Sequence, residues 1–190
     1  MQGPIRDIGR DNNAANPFAM GAGHINPNKA LDPGPIYDFT PEDCINLLCG
    51  LHFTSKQIKS ITRSSSYSCS NPSLDLSYPS FIGCFNYKSS KPDPKRIQEF
   101  ERTVTNLGDG KSTYTAKLTA MNDYKVSVAP DKSVFKEKYE KQSDKLRIEG
   151  PLSCLVHGSL SWVETSGKYV VSSSIVATTM EWIHSENRTD

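Results

Sequence analysis

Between Tyr114 and Ala120 the chain alternates without a break. Tyr114, Ala116, Leu118 and Ala120 are apolar or aromatic, and Thr115, Lys117 and Thr119 stand between them. A strand sends successive side chains to opposite faces, so this spacing reads as a strand with one buried side. The same period of two returns at Val126 and Val128, at Leu146 and Ile148, and at Leu160 and Trp162. It runs longest through Tyr169, Val171, Ser173, Ile175 and Ala177. "ETSGKY" (164–169) reads as the hairpin turn joining the last two of these strands.

From Tyr78 onward this spacing predicts about seven strands within roughly 100 residues, which is what a β-sandwich of fibronectin-III or immunoglobulin type requires. A small barrel is the alternative architecture. "SSKPDPK" (89–95) is a connection whose prolines keep it out of a sheet, and the mixed-sign run "KEKYEKQSDK" (136–145) reads mostly as a solvated loop or turn.

Ahead of the strands the pattern differs. Thr40 is an N-cap, with Pro41 in the first helical position and Glu42 and Asp43 at the positive end of the dipole. In "FTSKQIKSI" Thr54 and Gln57 form a capping box, and Phe53 can staple onto Ile58. "RSSSYSCSNPS" (63–73) reads as a loop. Residues 1–38, rich in Gly, Asn and Pro, carry no sustained period and cannot bury enough apolar surface to fold alone. That segment is expected to pack against something else.

Charge excludes some partners. Lys plus Arg number 22 against 21 Asp plus Glu, so no field recruits nucleic acid or anionic lipid. No apolar run approaches the ~20 residues of a membrane span. The first residues, "MQGPIRDIGRDNNAANP", lack the apolar core of a signal peptide, which taken literally leaves the chain in the cytosol. Five cysteines and the sequon at Asn187 are instead what a secreted chain carries.

Catalytic constellations are thin. No Gly-x-Ser-x-Gly elbow exists, and His157 in "HGS" lies in a strand pattern ending at Trp162, so it reads as a sheet histidine. Paired carboxylates and a phosphate loop are not visible. Cys44, Cys49, His52 and Cys69 could supply four zinc ligands, but the paired Cys-x2-Cys knuckle is missing. A disulfide between two of these cysteines is the plainer reading, and no cofactor or metal is assigned. A Cys49–Cys69 bond would staple the helical stretch, closing a loop worth roughly 3 kcal/mol in the chain-entropy model.

Three parts of the chain resemble, in order, one family. "NPFAMGAGHINPNKALDPGPIYD" (16–38) resembles the segment that closes the catalytic domain of plant subtilisin-like serine proteases, the subtilases. "FTPEDCINLLCGLHFTSKQIKSI" (39–61) is similar to their connecting helices. "DLSYPSF" (75–81), "FERTVTNLG" (100–108) and "GSLSWVE" (158–164) resemble their C-terminal fibronectin-III-like domain. The resemblance implies a closing segment (1–38) that would complete a subtilisin-like α/β domain, linker helices and loop (39–74), a sandwich (75–180) and a tail (181–190). It implies a Cys49–Cys69 disulfide and an extracellular or cell-wall location.

The family's Ser-His-Asp triad and oxyanion asparagine lie before the matching segment, so no catalytic residue is assigned here. His24 corresponds to a histidine of the closing segment and not to the base. The implied role is that of a non-catalytic C-terminal part of a serine endopeptidase, whose partner is the parent catalytic domain. The alternatives are a stand-alone protein-binding module, as a homodimer or with another protein, and a zinc-binding linker. Three positions depart from the family pattern: Pro35, Cys44 in place of tyrosine, and Ser174 in place of a proline expected to protect an edge strand.

Overall fold

The computed structural model describes residues 18, 21, 25–85, 96–108, 110–150 and 155–178. Short helices α1 (Pro27–Ala30), α2 (Pro41–Gly50) and α3 (Ser55–Thr62) accompany nine strands among these residues. The strands are β1 (Pro35–Tyr37), β2 (Ser80–Cys84), β3 (Arg96–Asn106), β4 (Ser112–Leu118), β5 (Lys125–Ala129), β6 (Lys132–Phe135), β7 (Lys141–Gly150), β8 (Val156–Glu164) and β9 (Val170–Thr178). One sheet runs β1-β3-β7-β5 and the other β2-β9-β8-β4-β6. Two separate sheets make a sandwich rather than the alternative barrel, and its inner faces meet in one core.

The period-two residues form that core. Tyr114, Leu146, Ile148, Leu160, Trp162, Ile175 and Ala177 are all buried, joined by Phe81, Phe85 and Phe135. Edge-on aromatic pairs link Phe81 with Phe100 and Tyr114 with Phe135, each at 5.8 Å between ring centres. The hairpin after Glu164 closes as its turn residues require, with Gly167 at φ +77° and its N–H donating to the Glu164 carbonyl.

Two expectations need correction. The run 136–145 is not all loop, because residues 141–145 open β7 and pair with β3 in register, burying Asp144. Local charge density hid the first half of that strand; only its partner across the sheet determines which of those side chains turn inward. Ser174 is not on an edge strand, since β9 lies between β2 and β8 and is protected by pairing on both sides. A strand that the period did not mark, β3, inverts the usual pattern: Ile97 faces out, 48% exposed, while Arg102 is 3% exposed. No hydrophobic period marks a strand whose inner face carries a charge.

Gly150 at the end of β7 shows how tightly the interior closes. A Cβ there would lie 2.3 Å from Cδ1 of the buried Tyr124 ring. Gly150→Ala must displace that ring, and overpacking of this kind costs about 1–3 kcal/mol. A lowered urea midpoint at unchanged slope is the expected result.

Both longer helices start as their caps dictate. The Asp43 N–H donates to Thr40 Oγ1 at 3.2 Å, and the Thr40 N–H donates to Asp43 Oδ2 at 2.7 Å. Thr54 and Gln57 make the reciprocal pair at the start of α3. Yet α2 buries only Cys49 and α3 only Ile58. Helices this short need tertiary anchors, and the linker has few.

Candidate functional site

The sequence-derived site residues fall in different places. Cys49, at the end of α2, and Cys69, in the following loop, are joined by a disulfide with their Cα atoms 5.7 Å apart. That bond removes two of the four candidate zinc ligands. Among the described residues no group of three or more His, Cys, Asp or Glu is gathered to hold a metal. The zinc-linker reading is therefore corrected: a thiolate consumed by a disulfide cannot ligate. Cys44 and Cys84 are free thiols of intermediate exposure. His157 is exposed on β8. His24, Cys154 and the sequon asparagine Asn187 lie outside the described residues.

What the structure brings together instead is a clasp. Residues 32–38, the end of the segment expected to belong to a neighbouring α/β domain, are stitched into the sandwich. Pro35, Ile36 and Tyr37 pair antiparallel with Asn106, Thr105 and Val104. Gly34, at φ +74°, presents its carbonyl to the Leu107 N–H at 3.1 Å. Asp38 Oδ2 accepts from Thr105 Oγ1 at 3.1 Å and from Lys141 Nζ at 2.6 Å. These contacts hold the Asp38 carboxyl below its ordinary value. Asp32 accepts from the Tyr169 hydroxyl at 2.7 Å and lies 3.0 Å from Lys168 Nζ, which lowers its pKa likewise.

Across the interior, the Tyr37 and Ser173 hydroxyls share a hydrogen bond of 2.6 Å, joining β1 to the opposite sheet. Burial pushes the Tyr37 phenol up to about 12.

A second tie fixes residues 75–80 to β3. Arg102 Nε donates to the Tyr78 carbonyl and Nη2 to the Ser80 carbonyl, both at 3.0 Å. Its Nη1 donates to Asp75 and to the Glu101 carbonyl. Asp75 Oδ2 in turn accepts from the Glu101 N–H at 2.6 Å. Ser77 Oγ donates to the Thr103 carbonyl and accepts from the Thr103 N–H. The guanidinium also lies 4.5 Å above the Phe81 ring. The strings "DLSYPSF" and "FERTVTNLG" are thus two halves of one polar joint. Asn106, fully buried at the end of β3, instead holds the turn that follows, donating to the Gly110 and Glu137 carbonyls while its Oδ1 accepts from the Gly108 N–H.

Sequence reasoning assigned no role to Arg102, Asp75, Ser77, Asp144 or Tyr37. Asp75 and Arg102 are 27 positions apart, so no local spacing signals their meeting. Asp144 pairs across the sheet with Arg102 and is 2% exposed; burial pushes its carboxyl up to about 6, against the pull of Arg102. None of these groups forms a nucleophile, base and orienting acid in reach of one another. What these groups do among the described residues is tie separate segments to the sandwich.

Comparison with known proteins agrees with the fold. Residues 75–177 match the family model of the Fibronectin type-III domain. Subtilisin-like protease SBT3 of Solanum lycopersicum is 51% identical over 180 residues, covering 91% of this chain and 23% of that protein. Subtilisin-like proteases SBT1.9 and SBT1.7 of Arabidopsis thaliana are 43% and 37% identical, over 87% and 90% of this chain and 23% and 22% of their own lengths. The chain spans less than a quarter of the length of these curated relatives. It belongs to the fibronectin type-III domain family, in the form that plant subtilisin-like proteases carry.

Proposed function

We propose that this chain serves a subtilisin-like serine endopeptidase as its non-catalytic C-terminal part, holding the sandwich in a fixed attitude to the catalytic domain. Proteolysis in the parent would use a Ser-His-Asp triad outside these residues. The observation that carries the reading is the clasp: Asp32–Asp38 resembles the end of a catalytic domain and is hydrogen-bonded into the sandwich. Polypeptide continuous with it inherits a rigid mount rather than a free tether. Exposed Phe39, Leu51, Phe53, Ile61 and Leu74 around the linker suit a neighbouring domain that covers them. The Cys49–Cys69 bond supports an extracellular or cell-wall location, where disulfides persist.

Two experiments test this. The purified chain, offered serine-protease substrates and a fluorophosphonate probe, is expected neither to cleave nor to label; labelling refutes the assignment. Co-expressed with the tomato relative truncated of its matching quarter, the chain is expected to restore soluble protease. A complex that never forms, while the chain itself runs as a homodimer by light scattering, favours the stand-alone binding module instead.

A further inference from the structure

The strand β1 is three residues long and stands at the edge of its sheet, yet its Pro35 is buried and its Tyr37 packs against the core. Tyr37 is paired with Val104, two positions from Arg102 on the same face of β3. Arg102 is paired in turn with Asp144. Asp144 is almost entirely shielded from solvent, and its Oδ2 has no hydrogen-bond partner among the described residues. The cation opposite directs its donors elsewhere, to Asp75 and to the carbonyls of Tyr78, Ser80 and Glu101. An ionised carboxylate in such a place lacks both water and a dedicated partner.

The charged and titratable groups facing Asp144 are few. Arg102 faces it from β3 and Tyr37 from β1, whose hydroxyl is bound to Ser173 of β9. On the other side of β7, β5 turns Val126 and Val128 toward the core, and β2 contributes Phe81. Among these neighbours only β1 is held by so short a ladder. If it lifts, Tyr37 leaves, water reaches the carboxylate, and the charged form becomes less costly.

We propose that protonation of Asp144 latches β1 onto the sandwich and that its ionisation loosens the strap. The argument is one of linkage: closing the strap deprives the carboxylate of water, so protons must favour closure.

The sign follows. Burial raises the carboxyl from 3.8 to about 6 in the closed state. The contribution of the neutral form is therefore complete below about 4 and fades as pH rises through 6. Asp32 and Asp38 act oppositely, since both are held below 3.8 by their partners. They stay ionised throughout that window and lose their grip only below it.

Amide hydrogen exchange of the full chain at pH 4.5 and pH 7, corrected for intrinsic rates, tests the latch. Protection of residues 36–38 and of 105–107 is expected to fall by more than tenfold between the two, because closure moves the carboxyl from 3.8 to about 6 and each pKa unit of linkage is a factor of ten. Asp144→Asn, neutral at every pH, is expected to abolish the fall. Equal protection at both pH values overturns the proposal, as does a fall that survives in the variant. Should that variant not fold, carboxyl carbon NMR of the unaltered chain decides: an Asp144 midpoint near 6 supports the latch and one near 4 refutes it. Tyr37→Ala, which removes the packed ring, is expected to move that midpoint toward 4. An unmoved midpoint would sever Asp144 from the strap.

Discussion

Arg102→Met is expected to cost the sandwich about 3–5 kcal/mol, read as a lowered denaturant midpoint, because one substitution leaves several acceptors without their donor, at about 1–3 kcal/mol for each that stays buried. Methionine keeps most of the stem that lies over Phe81 and Phe100, so the effect isolates the charge and its donors. Four acceptors lose a partner at once: Asp75 and the carbonyls of Tyr78, Ser80 and Glu101. Asp144 loses the one cation that restrains its upward shift. Asp75→Asn is expected to cost distinctly less, since that carboxylate is 28% exposed and water can reach it. A cost for Arg102→Met below that of Asp75→Asn would contradict the joint described here.

The second large effect lies in the linker and should leave the sandwich almost untouched. Cys49→Ser with Cys69→Ser removes a cross-link with a sequence separation of 20 residues. The chain-entropy model puts such a loop at roughly 3 kcal/mol. The linker has little else to draw on, for among its helical residues only Cys49 and Ile58 are buried. Opening of residues 39–74 is therefore expected to increase on the order of a hundredfold, visible as faster proteolysis across the 63–73 loop. The Ser73 N–H donates to the Asn46 carbonyl at 3.1 Å, so one backbone tie between the loop and α2 would remain. Exchange in β3, β7, β8 and β9 is expected to stay at the level of the disulfide-bonded chain. Equal loosening of both regions would show that linker and sandwich unfold as one unit.

Both predictions turn on groups with different legibility. The disulfide follows from two cysteines flanking a helical stretch and from a family resemblance. The Arg102 joint follows from neither, although every residue of it lies within the quoted strings. Charge-bearing side chains inside a strand read as solvent-facing until a second strand is laid beside them. Lys141 to Lys145 made that error concrete, for a run dense in charge holds Asp144, one of the most buried carboxylates in the fold. Ser174 made the converse error, because edge or centre is a property of sheet order and not of a residue.

The sequence by itself determined the layered β architecture, the two capped helices and the hairpin at Gly167. Each rests on interactions within a few residues or on a strict period, and such signals survive in one dimension. Tertiary structure alone decided that Asp32–Asp38 is sewn to the sandwich, that Arg102 ties residues 75–80 to β3, and that Asp144 is enclosed. Those contacts join positions tens of residues apart, 67 between Asp38 and Thr105 and 136 between Tyr37 and Ser173. Their cost or benefit is set by the water that the assembled sheets exclude, which no local pattern of residues records.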